Sequence, residues 1–152
     1  MADNLTDLEL QSWRGFITTY ARVVPRLDEE LAAAHGLSLN QYEALLRLNL
    51  APDRAMRMSE LARGVFLSPS GITRAVDQLE RRGLVERKVC ASDRRGFLAV
   101  LTPAGRTLLR AASKTHVAGI RAHFLDHIPA GAIEAMASAF EEMAAPLVSE
   151  AS

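Results

Sequence analysis

Apolar residues along this chain return every three or four positions in several long stretches and every second position in one short stretch, predicting helices around a small β element. The first helical stretch runs from Leu5 to Ala34. Its Leu8, Trp13, Phe16, Tyr20, Val23, Val24, Leu27 and Leu31 supply more apolar surface than a short surface helix needs. Pro25 falls inside it, and a proline there removes a hydrogen bond and crowds the preceding turn, so a kink or break is expected near Arg22 to Pro25. His35-Gly36 ends the element, because glycine accepts the left-handed conformation just past a helix. Ser38 then caps a helix from Leu39 to Leu50, with Tyr42, Leu45, Leu46 and Leu48 facing inward or partly so, and Ala51-Pro52-Asp53 stops it.

The middle of the chain is the most informative. Met56-Arg57-Met58 suits a short strand, after which a helix starts at Ser59 or the residue before it. Ser68 stands as an N-cap with Pro69 as the first helical residue, where the missing N–H costs nothing. From there Ile72, Val76 and Leu79 form one narrow apolar stripe, and Ser70, Gly71, Thr73, Arg74, Asp77 and Gln78 lie elsewhere around the cylinder. Gly83 closes this helix, which is therefore expected over Pro69 to Arg82. Beyond it Val85, Arg87 and Val89 alternate with Glu86, Lys88 and Cys90, Phe97 to Leu101 suits a strand, and Ala91 to Gly96 is turn chemistry. Two short helices followed by a hairpin with a basic tip make a winged helix-turn-helix, so the fold class is mainly α with a small β-hairpin wing.

Thr102-Pro103 repeats the cap-and-proline device and opens a helix expected to reach about His127. Its Leu108, Leu109, Ala112, Val117, Ile120, Phe124, Leu125 and Ile128 cover more than one face. Pro129-Ala130-Gly131 interrupts, and Ile133, Met136, Ala137, Phe140, Met143 and Leu147 mark a final amphipathic helix. The terminal helices thus carry apolar surface that a small winged lobe cannot cover, the mark of a partner surface. A homodimer is the economical expectation, with residues 1–36 and 103–150 as dimerisation helices around a DNA-binding lobe at 37–102, all within one domain spanning 1–152.

A net charge of zero seems to argue against a nucleic-acid partner, but the charge is segregated. Between Arg54 and Arg95 ten basic residues face five acidic ones, a net of plus five, so the remainder is net minus five, with acidic clusters at Asp28-Glu29-Glu30 and Glu141-Glu142. That is the footprint of a DNA-reading middle between non-binding ends. A helix held by one narrow stripe leaves small and hydrogen-bonding residues free to enter a major groove: Ser68, Ser70, Gly71, Thr73, Arg74 and Gln78 form this candidate set. At the wing, Asp93, Arg94 and Arg95 are the matching candidates, one arginine reaching a minor groove and Asp93 bracing the loop.

Residues from about Leu37 to Leu109 resemble the multiple-antibiotic-resistance regulator (MarR) family. The matching pieces are GLSLNQYEALLRL, MSELARGVFLSPSGITRAVDQLERRGLVER, the DRR tip and LTPAGRTLL, in that order. The resemblance implies a dimeric winged-helix repressor of pseudo-palindromic double-stranded operators, released by a small effector or, in some branches, by oxidation. Ligands in that family lie between the dimerisation helices and the winged lobe. Trp13, Arg14, His116 and Arg121 are the candidates here for an anionic aromatic ligand, against the simpler reading of Trp13 in a dimer core and the others on the surface.

Other chemistry is thinly signalled. His116, His123 and His127 share one helical face by spacing and are the only metal candidates, but such a face is usually solvated or interfacial, and neither metal nor cofactor is expected. Cys90 is the sole cysteine, so no intramolecular disulfide can form; on a wing strand it reads as packing rather than a sensor. No Ser-His-Asp grouping, GxSxG elbow, phosphate loop or usefully spaced carboxylate pair suggests an enzyme. With no apolar run long enough to span a bilayer and no signal peptide, a cytoplasmic location is expected. The rival to a DNA-binding regulator is a dimeric interaction or ligand-binding protein of the same fold that does not bind an operator.

Overall fold

The computed structural model describes residues 5–64, 69–90 and 93–149, with the side chains of 64, 69–70, 93–95 and 145–149 outside that description. Helix α1 spans Asp7–His35, α2 Leu39–Leu50, strand β1 Ala55–Arg57, α3 Met58–Gly64, α4 Pro69–Arg81, β2 Val85–Cys90, β3 Asp93–Leu101, α5 Pro103–His123 and α6 Ala132–Ser149. The mainly helical winged architecture expected from the pattern is therefore present.

Local chemistry sets the boundaries. Thr6 and Glu9 form a reciprocal capping box at the start of α1, and Ser38 and Gln41 form another at α2. Gly36 ends α1 in the left-handed conformation at φ 62°, and Gly83 follows α4 at φ 68°. The Gly83 N–H donates to the Glu80 carbonyl and the Leu84 N–H to that of Leu79, which satisfies two carbonyls of the last turn. Thr102 opens α5 by accepting from the Gly105 N–H at 3.0 Å.

Three expectations need correction. Helix α1 continues through Pro25 without a break, because the turns on either side are retained and Leu27 and Leu31 bury the following stretch in the core. Helix α5 stops at His123 rather than near His127, and Leu125–His127 forms a separate tight turn. In the wing, β3 begins at Asp93, inside the stretch Ala91 to Gly96 whose residue types predict a turn. Val89 faces Phe97 but Cys90 faces Asp93, so Arg94, Arg95 and Gly96 are taken up opposite a single step of β2. This bulge lets the ladder continue where turn-forming residues would end it.

The sheet has order β1-β3-β2 and is antiparallel throughout, with Met56 opposite Ala99. One core is formed by Leu31 of α1, Leu45 and Leu48 of α2, Leu61 of α3, Ile72, Val76 and Leu79 of α4, Val85 and Ala99 of the sheet, and Leu109 and Ala112 of α5. Cys90 is buried, in line with a packing role. Helix α5 packs along α1, and at Gly119 an added Cβ would fall 2.5 Å from Glu30 Oε2 and 2.7 Å from Leu27 Cδ2. Among the described residues no helix is long and apolar enough to cross a membrane.

Candidate nucleic-acid interface

The three apolar positions read from the sequence, Ile72, Val76 and Leu79, are fully buried, and Ala75 widens the stripe. Burying that stripe turns the opposite side of α4 outward: Thr73, Arg74 and Gln78 are exposed, and Gly71 is half-buried. Ser68 and the side chain of Ser70 lie outside the described residues, as do the side chains of Asp93, Arg94 and Arg95.

Gln78 has an internal engagement that its place in the candidate set did not foresee. Its Oε1 accepts from Nε2 of the buried Gln41 at 2.6 Å, joining α2 to α4. This amide pair holds the recognition-type helix to the lobe, while Thr73 and Arg74 of the same set are exposed on its outer side.

Arg87 of β2 is the residue that sequence reasoning missed. Its Nη1 lies 2.6 Å from Asp77 Oδ1 and 2.8 Å from Glu80 Oε2, and its backbone N–H donates to Glu80 Oε1 at 3.3 Å. A planar guanidinium between two carboxylates one turn apart fixes the root of the wing to α4. The signal was present: Asp77 and Glu80 at helical spacing, then a glycine turn, then an arginine on the first strand. The single positive charge of Arg87 offsets one of the two acidic charges on α4, and Arg74 and Arg81 lie on the exposed side of that helix.

The ligand and metal candidates separate into different places. Trp13 lies against Phe16 at a centroid distance of 6.1 Å, and Phe16 against Phe140 of α6 at 6.4 Å. His116 instead packs on Tyr42 at 4.5 Å, at the junction of α5 with α2. Arg14 and Arg121 are exposed on α1 and α5. The four residues therefore do not meet around one shared aromatic wall within a chain. Burial pushes the His116 imidazole below its ordinary value, with the charge of Glu43 opposing. His123 pairs with Glu30 at 2.6 Å and His127 with the Ala122 carbonyl at 3.0 Å, so the three histidines have three separate partners. Among the described residues no group of three metal-ligating side chains converges.

Comparison with known proteins agrees with this geometry. A sequence model of the MarR family matches residues 35–96. The fold matches that of Sco3205, a MarR family transcriptional regulator from Streptomyces coelicolor solved in complex with DNA, at 30% identity and a TM-score of 0.87, over 95% of this chain and 90% of that one. It also matches AbsC, a MarR family transcriptional regulator from the same organism, at 32% identity and a TM-score of 0.87, over 97% of this chain and 99% of that one. Transcriptional repressor MprA of Escherichia coli (strain K12) is 32% identical over 81 residues, which is 53% of this chain but only 46% of that repressor. Sequence over the winged lobe and fold over nearly the whole length point the same way: the chain belongs to the MarR family of transcriptional regulators.

Proposed function

We propose that this protein binds double-stranded DNA as a homodimer and acts as a repressor at a pseudo-palindromic operator, under the control of a small effector. One observation carries the reading: α4 buries its whole apolar stripe while turning Thr73 and Arg74 to solvent, with the wing strand fastened beside it through Arg87. In the major groove those two side chains, with Ser70 and Gly71, contact bases and phosphates. Arg94 and Arg95 extend the contact to the neighbouring minor groove or its backbone, and Ser68, Gln78 and Asp93 complete the set in supporting positions.

Dimerisation is supported by the row of exposed apolar residues on α1 that includes Trp13, Phe16, Ile17 and Tyr20, continued by Phe140 and Met143 of α6. A two-fold protein presents its recognition helices to half-sites one helical turn, about 34 Å, apart. In this division of labour, residues 37–102 read DNA and residues 1–36 and 103–150 join the protomers. A groove between those parts, with Trp13, Arg14, His116 and Arg121 contributed from two chains, is the place for an effector.

The test is binding of purified protein to a duplex covering the region upstream of its own gene, at several salt concentrations, beside an unrelated duplex. A selective complex that weakens steeply with salt is the expected result. Binding that is salt-dependent but unselective assigns the operator to another locus. No binding to either duplex at low salt overturns the reading in favour of a dimeric interaction protein.

A further inference from the structure

Arg82 follows the last residue of α4 and is ordinary by sequence, one of two adjacent arginines before a glycine. In the structure its guanidinium turns away from the outer face of α4 and reaches the end of α1. Nη1 donates to the Gly36 carbonyl at 2.6 Å and Nη2 to the His35 carbonyl at 3.1 Å. Both acceptors belong to the C-terminus of α1, where carbonyls lack helical partners and carry the negative end of the helix dipole. Gly36 suits this junction because it is left-handed at φ 62°, and the Arg82 guanidinium packs at ordinary contact distance beside it, 3.7 Å from the position a Cβ would take. His35 is held in turn, its Nε2 lying 2.8 Å from Thr115 Oγ1 on α5.

Gln78, one turn before Arg82 on α4, makes the 2.6 Å bond to Gln41 on α2. Two polar side chains at helical spacing therefore fasten the C-terminal half of α4 to the α1–α2 junction. Helix α1 is the same helix that, further along, exposes Trp13, Phe16 and Tyr20. Arg82 is thus a direct polar link between α4 and the end of α1, beside the shared core and the Gln41–Gln78 bond.

We propose that Arg82 is a positioning residue that sets the separation of the two recognition helices in the dimer, and so the half-site spacing the protein accepts, without itself contacting DNA. This rests on the operator-binding reading above. It assigns to Arg82 a part in specificity distinct from the phosphate contact that its charge and place beside the DNA-facing helix suggest. The planar fork meets the two carbonyls with two separate nitrogens at fixed spacing, whereas a lysine has one nitrogen on a flexible stem and holds the junction less rigidly.

The test uses the full-length protein and duplexes selected by the wild type from a random pool, together with the same duplexes carrying one base pair inserted or removed between half-sites. Arg82→Met and Arg82→Lys are compared with wild type at several salt concentrations, with melting temperature and dimer mass measured on each. Arg82→Met is expected to weaken binding to the selected duplex about tenfold, to bind the altered spacings nearly as well as the selected one, and to keep the wild-type salt slope. Arg82→Lys is expected to lose part of the spacing discrimination although its charge and fold are kept. A salt slope lower by about one on every duplex, with spacing preference intact, identifies a phosphate contact and overturns the proposal. Wild-type spacing preference in the lysine variant overturns it as well. A uniform loss in step with lowered melting temperature identifies a merely structural residue. Failure of the wild type to select any duplex overturns the operator-binding reading itself, an outcome separate from these.

Discussion

The winged lobe and the first half of α1 treat large apolar side chains in opposite ways. In the lobe, Leu37, Leu45, Leu48, Leu61, Val76 and Leu79 are completely enclosed within one chain. On α1, Trp13 is 57%, Phe16 48% and Tyr20 59% exposed, and the change comes near Leu27, after which the same helix enters the core. The difference separates two kinds of completeness. The lobe folds around its own interior and leaves its polar surface for another molecule to read. The start of α1 leaves an apolar face uncovered within the chain, the face that the proposed dimer would cover.

The most severe way to break this contrast is to damage the finished side. Leu48→Ala removes a fully buried side chain and is expected to cost about 3 kcal/mol, read as a lower urea midpoint with loss of DNA binding. On the unfinished side, Trp13→Ala with Phe16→Ala is expected to weaken the dimer by about 2 kcal/mol, roughly thirtyfold in dissociation constant. Sedimentation across a dilution series measures this. If dimer mass persisted at wild-type concentrations, the α1 face would not be the interface.

Smaller changes sharpen the contrast rather than break it. Arg87→Ala leaves Asp77 and Glu80 without their fork; as all three side chains are partly exposed, about 1 kcal/mol of stability is expected, with a larger effect on operator affinity. Equal stability and equal affinity would show the fork to be incidental. The smallest effect is set by pH. Because burial holds the His116 imidazole below its ordinary value, the unfolded chain takes up that proton more readily than the folded one. Its contribution is therefore present above the unfolded value of 6.5 and declines as pH falls below it. His116→Gln should flatten that part of the stability profile between about pH 7.5 and 5.5, measured by urea unfolding against wild type.

Much of this architecture can be read from neighbours in sequence. As caps, Ser38, Gly36, Gly83 and Thr102 meet groups within a few positions of themselves, whatever else they bond to, so their residue types suffice to mark where helices begin and end. The stripe of Ile72, Val76 and Leu79 is legible for the same reason. What escapes is chemistry set by tertiary approach. Arg82 meets carbonyls 46 and 47 positions away, Gln78 meets Gln41 across 37, and neither partner has a spacing that advertises the other. Pro25 misleads because the penalty it imposes on an isolated helix is offset here by the packing of the next turns. The spacing of the histidines predicts a shared face running on to His127, whereas α5 ends at His123.

Thr102 has a consequence for how such a protein changes over time. Its hydroxyl donates to the Gly83 carbonyl at 2.8 Å and its backbone N–H to that of Leu84 at 3.2 Å, so the chain leaves for the wing and returns from it at a single pinned point. With Val85 opposite Leu101 at the same root, Leu98 to Val100 paired with β1 and Arg87 held by α4, the wing is tied to the body along its lower half and only the part beyond projects as a finger. Residues can be added, lost or exchanged toward its tip without moving either helix it separates. The finger can therefore diversify as a replaceable cassette while the body of the protein stays the same.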